Sequence, residues 1–233
     1  MARVAIILTS HGTLGESGKA TGFYFDEMAT PYWALKDAGH IVTLASIQGG
    51  KPPFDPGSIK DNPDDRPAAV QRFLTSDDAM AELDTTPAVA DLDPGNFDAV
   101  FLPGGHGTMF DFADNAELGA LVGTIYDNDG IIGAVCHGPA GLLSARRADG
   151  QPVVAGHKVN AFTDAEEAAV GLTETVPFLL ETALREQGAA FEKADTFNAH
   201  AVRDRQLITG QNPASVAAVA DLMLEALASR VTR

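Results

Sequence analysis

The stretch "GAVCHGPAGLL" at 133–143 holds the only cysteine of the chain, Cys136, with His137 directly after it. An apolar run leads into the pair, and glycine and proline follow it, so the cysteine falls where a strand turns into a helix. That is the position of a nucleophile elbow, a sharp turn that presents a side chain at the end of a strand. The usual elbow has glycine two residues before and two residues after the nucleophile; here Ala134 and Gly138 stand there, both small enough for the turn. A helix opening behind the elbow predicts a thiol whose pKa is lowered by the helix N-terminus. His137 is close enough to serve as its base or acid. By composition alone, a lone cysteine in an apolar strand reads as a small core residue. The strand-end setting favours the reactive reading, because ligands in open α/β sheets sit beyond the carboxyl ends of the strands.

Other chemistry is poorly represented. His11, His40, His106, His137, His157 and His200 show no pairing at metal-ligand spacing, and no second cysteine supports zinc, so neither a metal nor a cofactor is expected. The loop "GTLGESGKATG" lacks the Gly-Lys-Ser/Thr of a phosphate-binding loop and does not match GxGxxG after a strand, so no nucleotide is inferred. His11 and Glu16, in and beside that loop, read as solvated rather than as pocket-lining.

These residues must be positioned by alternating elements. Strands are expected at 3–10, 40–46, 97–105, 131–137 and 158–162. Helices are expected at 26–39, 115–130, 138–146, 175–188 and 213–230. Pro31 is placed in or near the first turn of its helix, and Asn115 is a cap. "TDAEEAAV" opens another helix, capped by Thr163 or Asp164, and "HAVRDRQLITG" (200–210) is a strand or hairpin. The fold class is therefore α/β, a doubly wound sandwich with a mostly parallel sheet flanked by helices. The Pro-, Gly- and Asp-rich stretch at about 49–95 reads as an insertion capping the sheet near its active edge. It is too short for a core of its own, so 1–233 reads as one domain.

Taken together, "TGFYFDE", "FLPGGHGTMFDF", "AVCHGP", "AFTDAEEAAVGL" and the closing "LITGQNPASV" resemble the ThiJ/PfpI superfamily, and within it the glyoxalase III and heat-shock chaperone branch. The resemblance implies a flavodoxin-like sandwich, a cysteine on a strained elbow and a Cys-His-Glu constellation. It makes Cys136 the nucleophile and His137 its partner. Glu27 resembles the carboxyl group that sits against the sulfur. Glu167 resembles the acid that orients the histidine, with its neighbour Glu166 as the competing choice. Gly105 and His106 resemble backbone donors that would hold an oxyanion. Read without the resemblance, Glu27, Glu166 and Glu167 are helix-start acids favoured by the dipole, and His106 equally stabilises a turn. A carboxyl group buried beside a thiol has its pKa raised and can shuttle protons.

The activity implied is the glutathione-independent conversion of methylglyoxal-type 2-oxoaldehydes to 2-hydroxy acids such as D-lactate. A thiolate adds to the aldehyde, a proton moves through an enediol, and the resulting thioester is hydrolysed. The same nucleophile would suit amide or peptide hydrolysis or removal of early glycation adducts. A stress holdase or redox sensor is the non-enzymatic alternative. Glutamine amidotransferases share the sheet and elbow but carry their histidine far downstream, unlike "CHG".

Sixteen Lys and Arg against 32 Asp and Glu give a formal charge of −16, which argues against nucleic acid or an anionic membrane as partner; the partner the resemblance implies is a small-molecule aldehyde. No apolar run approaches the roughly 18–20 residues of a membrane span, and "MARVAIILTSHG" is not a secretory signal. One cysteine cannot form an internal disulfide, so a cytoplasmic location is expected. The resemblance implies a homodimer, although the apolar face of helix 213–230 could equally pack on the sheet.

Overall fold

In the computed structural model, which describes residues 1–231, the run RVAIIL forms strand β1, Arg3–Leu8. Its side chains alternate between two cores: Val4, Ile6 and Leu8 enter one, Ala5 and Ile7 the other. A strand covered on both faces requires such an unbroken apolar run. β2 (Ile41–Ser46), at the sheet edge, sends Val42 and Leu44 into the first core and Ala45 into the second but leaves Ile41 exposed, whereas β3 (Ala99–Leu102) and β4 (Ile131–Val135) are buried at every position. β1 pairs in parallel with β2 and β3, and β3 with β4. The segment 200–210 is a hairpin of β5 (Ala201–Asp204) and β6 (Leu207–Gly210); β6 is parallel to β4 and antiparallel to β5. The six-stranded order is β2-β1-β3-β4-β6-β5.

The helices are α1 (Phe25–Asp37), α2 (Ala68–Leu74), α3 (Asp77–Asp84), α4 (Thr108–Asp111), α5 (Ala116–Asp127), α6 (Asp164–Ala169), α7 (Leu180–Glu186) and α8 (Val216–Val231). α1 and α8 cover one face of the sheet, with Met28, Tyr32, Val219 and Met223 in the core beneath them. α5 and α7 cover the other, through Leu118, Val122, Ile125 and Leu184. The apolar face of α8 is thus spent on the sheet.

Four elements differ from expectation. Pro31 is the seventh residue of α1, not part of its first turn, so the Glu27 carbonyl four residues earlier lacks its intrahelical N–H partner. The expected helix at 138–146 is a 3-10 turn, Gly138–Leu142, in which two glycines and a proline are all buried. The strand at 158–162 shortens to Lys158–Val159, paired with Ala190–Phe191 outside the main sheet. Asn160 ends it by hydrogen bonding to side chain and loop instead of a ladder: its N–H meets Thr209 Oγ1 at 2.8 Å and its amide meets the His200 carbonyl at 2.8 Å. The helix at 175–188 begins only at Leu180, because Pro177 restrains the residue before it and removes a donor.

The helices of the insertion pack on the outside of α1, and its two ends lie at the sheet edge. Phe73 of α2 is buried against Phe25, Tyr32 and Trp33. The Arg72 guanidinium stacks 3.7 Å over the Trp33 ring and pairs with Asp37 at 2.6 and 2.9 Å. Both ends of the insertion approach the carboxyl ends of the strands: the Phe23 N–H meets the Pro53 carbonyl and the Asp55 N–H that of Phe23, while Ser46 at the end of β2 donates its N–H to the Pro87 carbonyl and its hydroxyl lies 2.7 Å from that of Thr86.

Candidate active site

Cys136, directly after β4, lies in the left-handed region, φ 59°. A residue with a side chain adopts that conformation only when its surroundings impose it. Here they do: the Cys136 N–H bonds to the Gly210 carbonyl at the end of β6 (2.9 Å), and its carbonyl accepts from the Phe162 N–H (2.8 Å). Gly138 follows because a Cβ at that position would run into the Leu102 carbonyl at the end of β3. The sulfur is nearly sealed, at 4% residual exposure.

Glu27, in the first turn of α1, projects beneath the sulfur and is fully buried. Its Oε2 accepts from the Gly104 N–H at 2.7 Å. Gly104 must be glycine, since a Cβ would stand 2.8 Å from that same oxygen. Among the described residues Oε1 has no nitrogen or oxygen partner, and the carboxyl group hydrogen-bonds Cys136. Burial raises the Glu27 pKa to about 8, against the smaller lowering effects of Gly104 and Cys136, so the group carries its proton at neutral pH.

The Cys136 thiol is also pushed up, first by burial and then by the charge and hydrogen bond of Glu27, while the N–H groups of Gly105 and His137 act in the opposite direction. This corrects the expectation of a lowered thiol. The element behind the elbow is a five-residue 3-10 turn rather than a helix with a developed dipole, and the sulfur has little access to water. At rest the sulfur is a thiol, and ionising it would take a base.

A ring able to accept that proton lies beside it. His137 Nδ1 lies 3.3 Å from Cys136 Sγ, and its Nε2 lies 2.7 Å from Glu167 Oε2. Burial, then the neighbouring His106, lower the His137 pKa to about 4 despite Glu167, so the ring is neutral at pH 7. The carboxylate fixes the tautomer: Nε2 carries hydrogen and Nδ1 offers a lone pair to the thiol. Phe162 covers the ring at 4.5 Å.

Thr163 caps α6 in a capping box with Glu166, and this local geometry sends the two adjacent acids in different directions. Glu166 is enclosed by five donors: Thr163 N–H and hydroxyl, Phe197 N–H, and the amides of Gln211 and Asn212. Glu167 receives two histidines, His137 on Oε2 and His106 Nε2 on Oε1 at 2.9 Å. Burial opposes its ionisation, but the hydrogen bonds from His106 and His137 outweigh it and hold it at about 2.

Of the residues singled out from sequence, Cys136, His137, Glu27 and Glu167 therefore form one connected chain, and Glu166 stands outside it. Gly105, at φ 100°, contributes its N–H toward the sulfur. The second N–H there belongs to His137 and not to His106. His106 enters instead through its ring, 4.2 Å from that of His137. His106, His137 and Glu167 thereby offer ligand-type atoms within 4.8 Å of one another, a grouping that their sequence spacing does not suggest. His11 stacks on Phe110 and Glu16 is exposed; neither touches the constellation. Sequence reasoning missed the His106 ring, the Gly104 N–H and the Phe162 cover. The histidine between glycines in "PGGHG" was the only signal available for the first.

Known proteins share this arrangement of chain. The model of the DJ-1/PfpI family matches residues 20–226. Glyoxalase 3 of Candida albicans is 29% identical over 97% of this chain and 98% of its own. The glutathione-independent glyoxalase hsp3101 of Schizosaccharomyces pombe is 31% identical, covering 96% and 95%. Among solved structures, the rapid encystment protein of Francisella tularensis superposes with a TM-score of 0.92 at 34% identity over 97% and 99% of the two chains. With a family model spanning most of its length and a sheet, elbow and flanking helices to match, the chain belongs to the DJ-1/PfpI family.

Proposed function

We propose that the chain converts methylglyoxal-type 2-oxoaldehydes to 2-hydroxy acids, D-lactate from methylglyoxal, without glutathione. One observation carries this reading: an unbroken run of contacts from Glu27 through Cys136 Sγ and the His137 ring to the Glu167 carboxylate, set at a strand end. As Sγ attacks the aldehyde carbon, His137 Nδ1 takes the thiol proton. Glu167 stabilises the imidazolium that forms. Glu27, protonated at neutral pH, donates to the sulfur as negative charge develops there and serves as the proton shuttle. The N–H groups of Gly105 and His137 are the oxyanion donors. The hemithioacetal then passes its C–H proton through an enediol to the neighbouring carbon, leaving a 2-hydroxyacyl thioester that water cleaves.

The names of the relatives in Candida and Schizosaccharomyces support the same reading. A single unpaired cysteine fits a cytoplasmic location, and the family resemblance fits a homodimer; light scattering after size exclusion reads the latter. The deciding assay is lactate formation from methylglyoxal without glutathione. Wild type forms it and Cys136→Ser loses it by at least about a thousandfold; lactate from the serine variant at the wild-type rate overturns the mechanism.

A further inference from the structure

We infer that the His106 ring is a second catalytic base, which activates the water that cleaves the Cys136 thioester; this rests on the thioester chemistry proposed above. Glu167 binds two histidines with two oxygens, so it fixes two tautomers. With Nε2–H of each ring pointing at the carboxylate, Nδ1 is the atom left as the acceptor. The two Nδ1 atoms then face different surroundings. That of His137 is engaged with Cys136 Sγ, and its side chain is 1% exposed. That of His106 has no hydrogen-bond partner among the described residues and is not sealed from solvent, and its side chain is 16% exposed. Water reaches only the second ring. With the ring centres 4.2 Å apart, an acyl group on Cys136 lies beside both. Glu167 thus supports one dyad for the sulfur and one for the solvent.

The step balances without another reagent. His106 Nδ1 takes a proton from water as the oxygen bonds to the thioester carbonyl carbon. The tetrahedral oxyanion faces the Gly105 and His137 N–H groups. Collapse breaks the C–S bond, the electron pair leaving with sulfur. One proton is taken up at sulfur and one is released from His106, so thioester and water become carboxylic acid and thiol.

The test uses His106→Gln, which keeps an amide donor for Glu167 but no base, with His106→Ala as a second variant should the first fold poorly. Two acyl donors are compared: methylglyoxal, and p-nitrophenyl acetate, which acylates a cysteine without any isomerisation. The expected result with both is a covalent acyl adduct on Cys136, seen by intact mass. It forms at close to the wild-type rate and decays on the order of a hundredfold more slowly. Hydroxylamine restores turnover by capturing the acyl group. If instead the first turnover slows in step with the steady state and no adduct accumulates, His106 merely positions Glu167 and the inference is wrong. It is equally wrong if deacylation keeps its wild-type rate. Absence of lactate from methylglyoxal in the wild type would sink the glyoxalase reading alone, since the ester still decides the role of His106.

Discussion

Cys136, His137, Glu27 and Glu167 lie in hydrogen-bond contact along one chain, so their effects are read as functions of pH. Glu27 has a folded pKa of about 8 against 4.5 for an ordinary glutamate. Between those values the folded protein holds a proton that the unfolded chain has lost. Its contribution to stability is complete below about 4.5 and disappears as pH rises through about 8. His137 runs the other way: between about 4 and 6.5 the unfolded chain binds a proton that the folded protein refuses, so stability rises with pH across that window. Glu167, held at about 2 against 4.5, adds stability that is lost on acidification through that range. Glu27→Gln is therefore expected to remove a fall of up to a few kcal/mol between mildly acid and mildly alkaline pH, measured by urea unfolding at a series of pH values. Alkylation of Cys136 by iodoacetamide should titrate above the ordinary thiol range, because burial and Glu27 raise it. A midpoint below that range would contradict the resting thiol. The adjacency of Cys136 and His137 made that pair legible from sequence. His106 and Glu167, 61 positions apart, meet only through tertiary structure, and a ring orientation leaves no periodic trace.

At the scale of elements, α6 carries two neighbouring acids with opposite expected phenotypes. Glu166→Ala leaves five buried donors without an acceptor and should cost about 3 kcal/mol or more, seen as a lowered melting temperature. Glu167→Gln should instead fold and lose about 10²- to 10⁴-fold in turnover, since an amide cannot stabilise the imidazolium of His137. If the Glu167 variant melts early while Glu166→Ala keeps its stability, the assignment is reversed. The choice between these acids was open in sequence because the capping box fixes only which residue faces Thr163. Strands buried on both faces were legible as apolar runs, and Asn115 was legible as a cap, accepting from the Leu118 N–H at 2.8 Å. Elements shaped by single side-chain hydrogen bonds or by close backbone contact were not: Asn160 shortens the strand at 158–162, and Gly138 packs its turn against β3. That turn also removed the dipole on which the lowered thiol depended.

For the molecule as a whole, a formal charge of −16 makes self-repulsion a general term in stability. Raising the salt from about 10 mM to about 150 mM shortens the screening length from about 30 Å to about 8 Å and should raise the melting temperature by a few degrees. A fall would show that specific ion pairs outweigh the net charge. No described helix is long and apolar enough to cross a membrane, and the apolar stripe of α8 lies in the core with Met28 and Tyr32. The packing of the insertion on α1 also has a practical consequence. Trp33, the only tryptophan of the chain, stands six residues beyond Glu27 on the same helix, beneath Arg72. Its fluorescence is thus a built-in, label-free reporter on the seam between the helix that carries Glu27 and the insertion that clasps it.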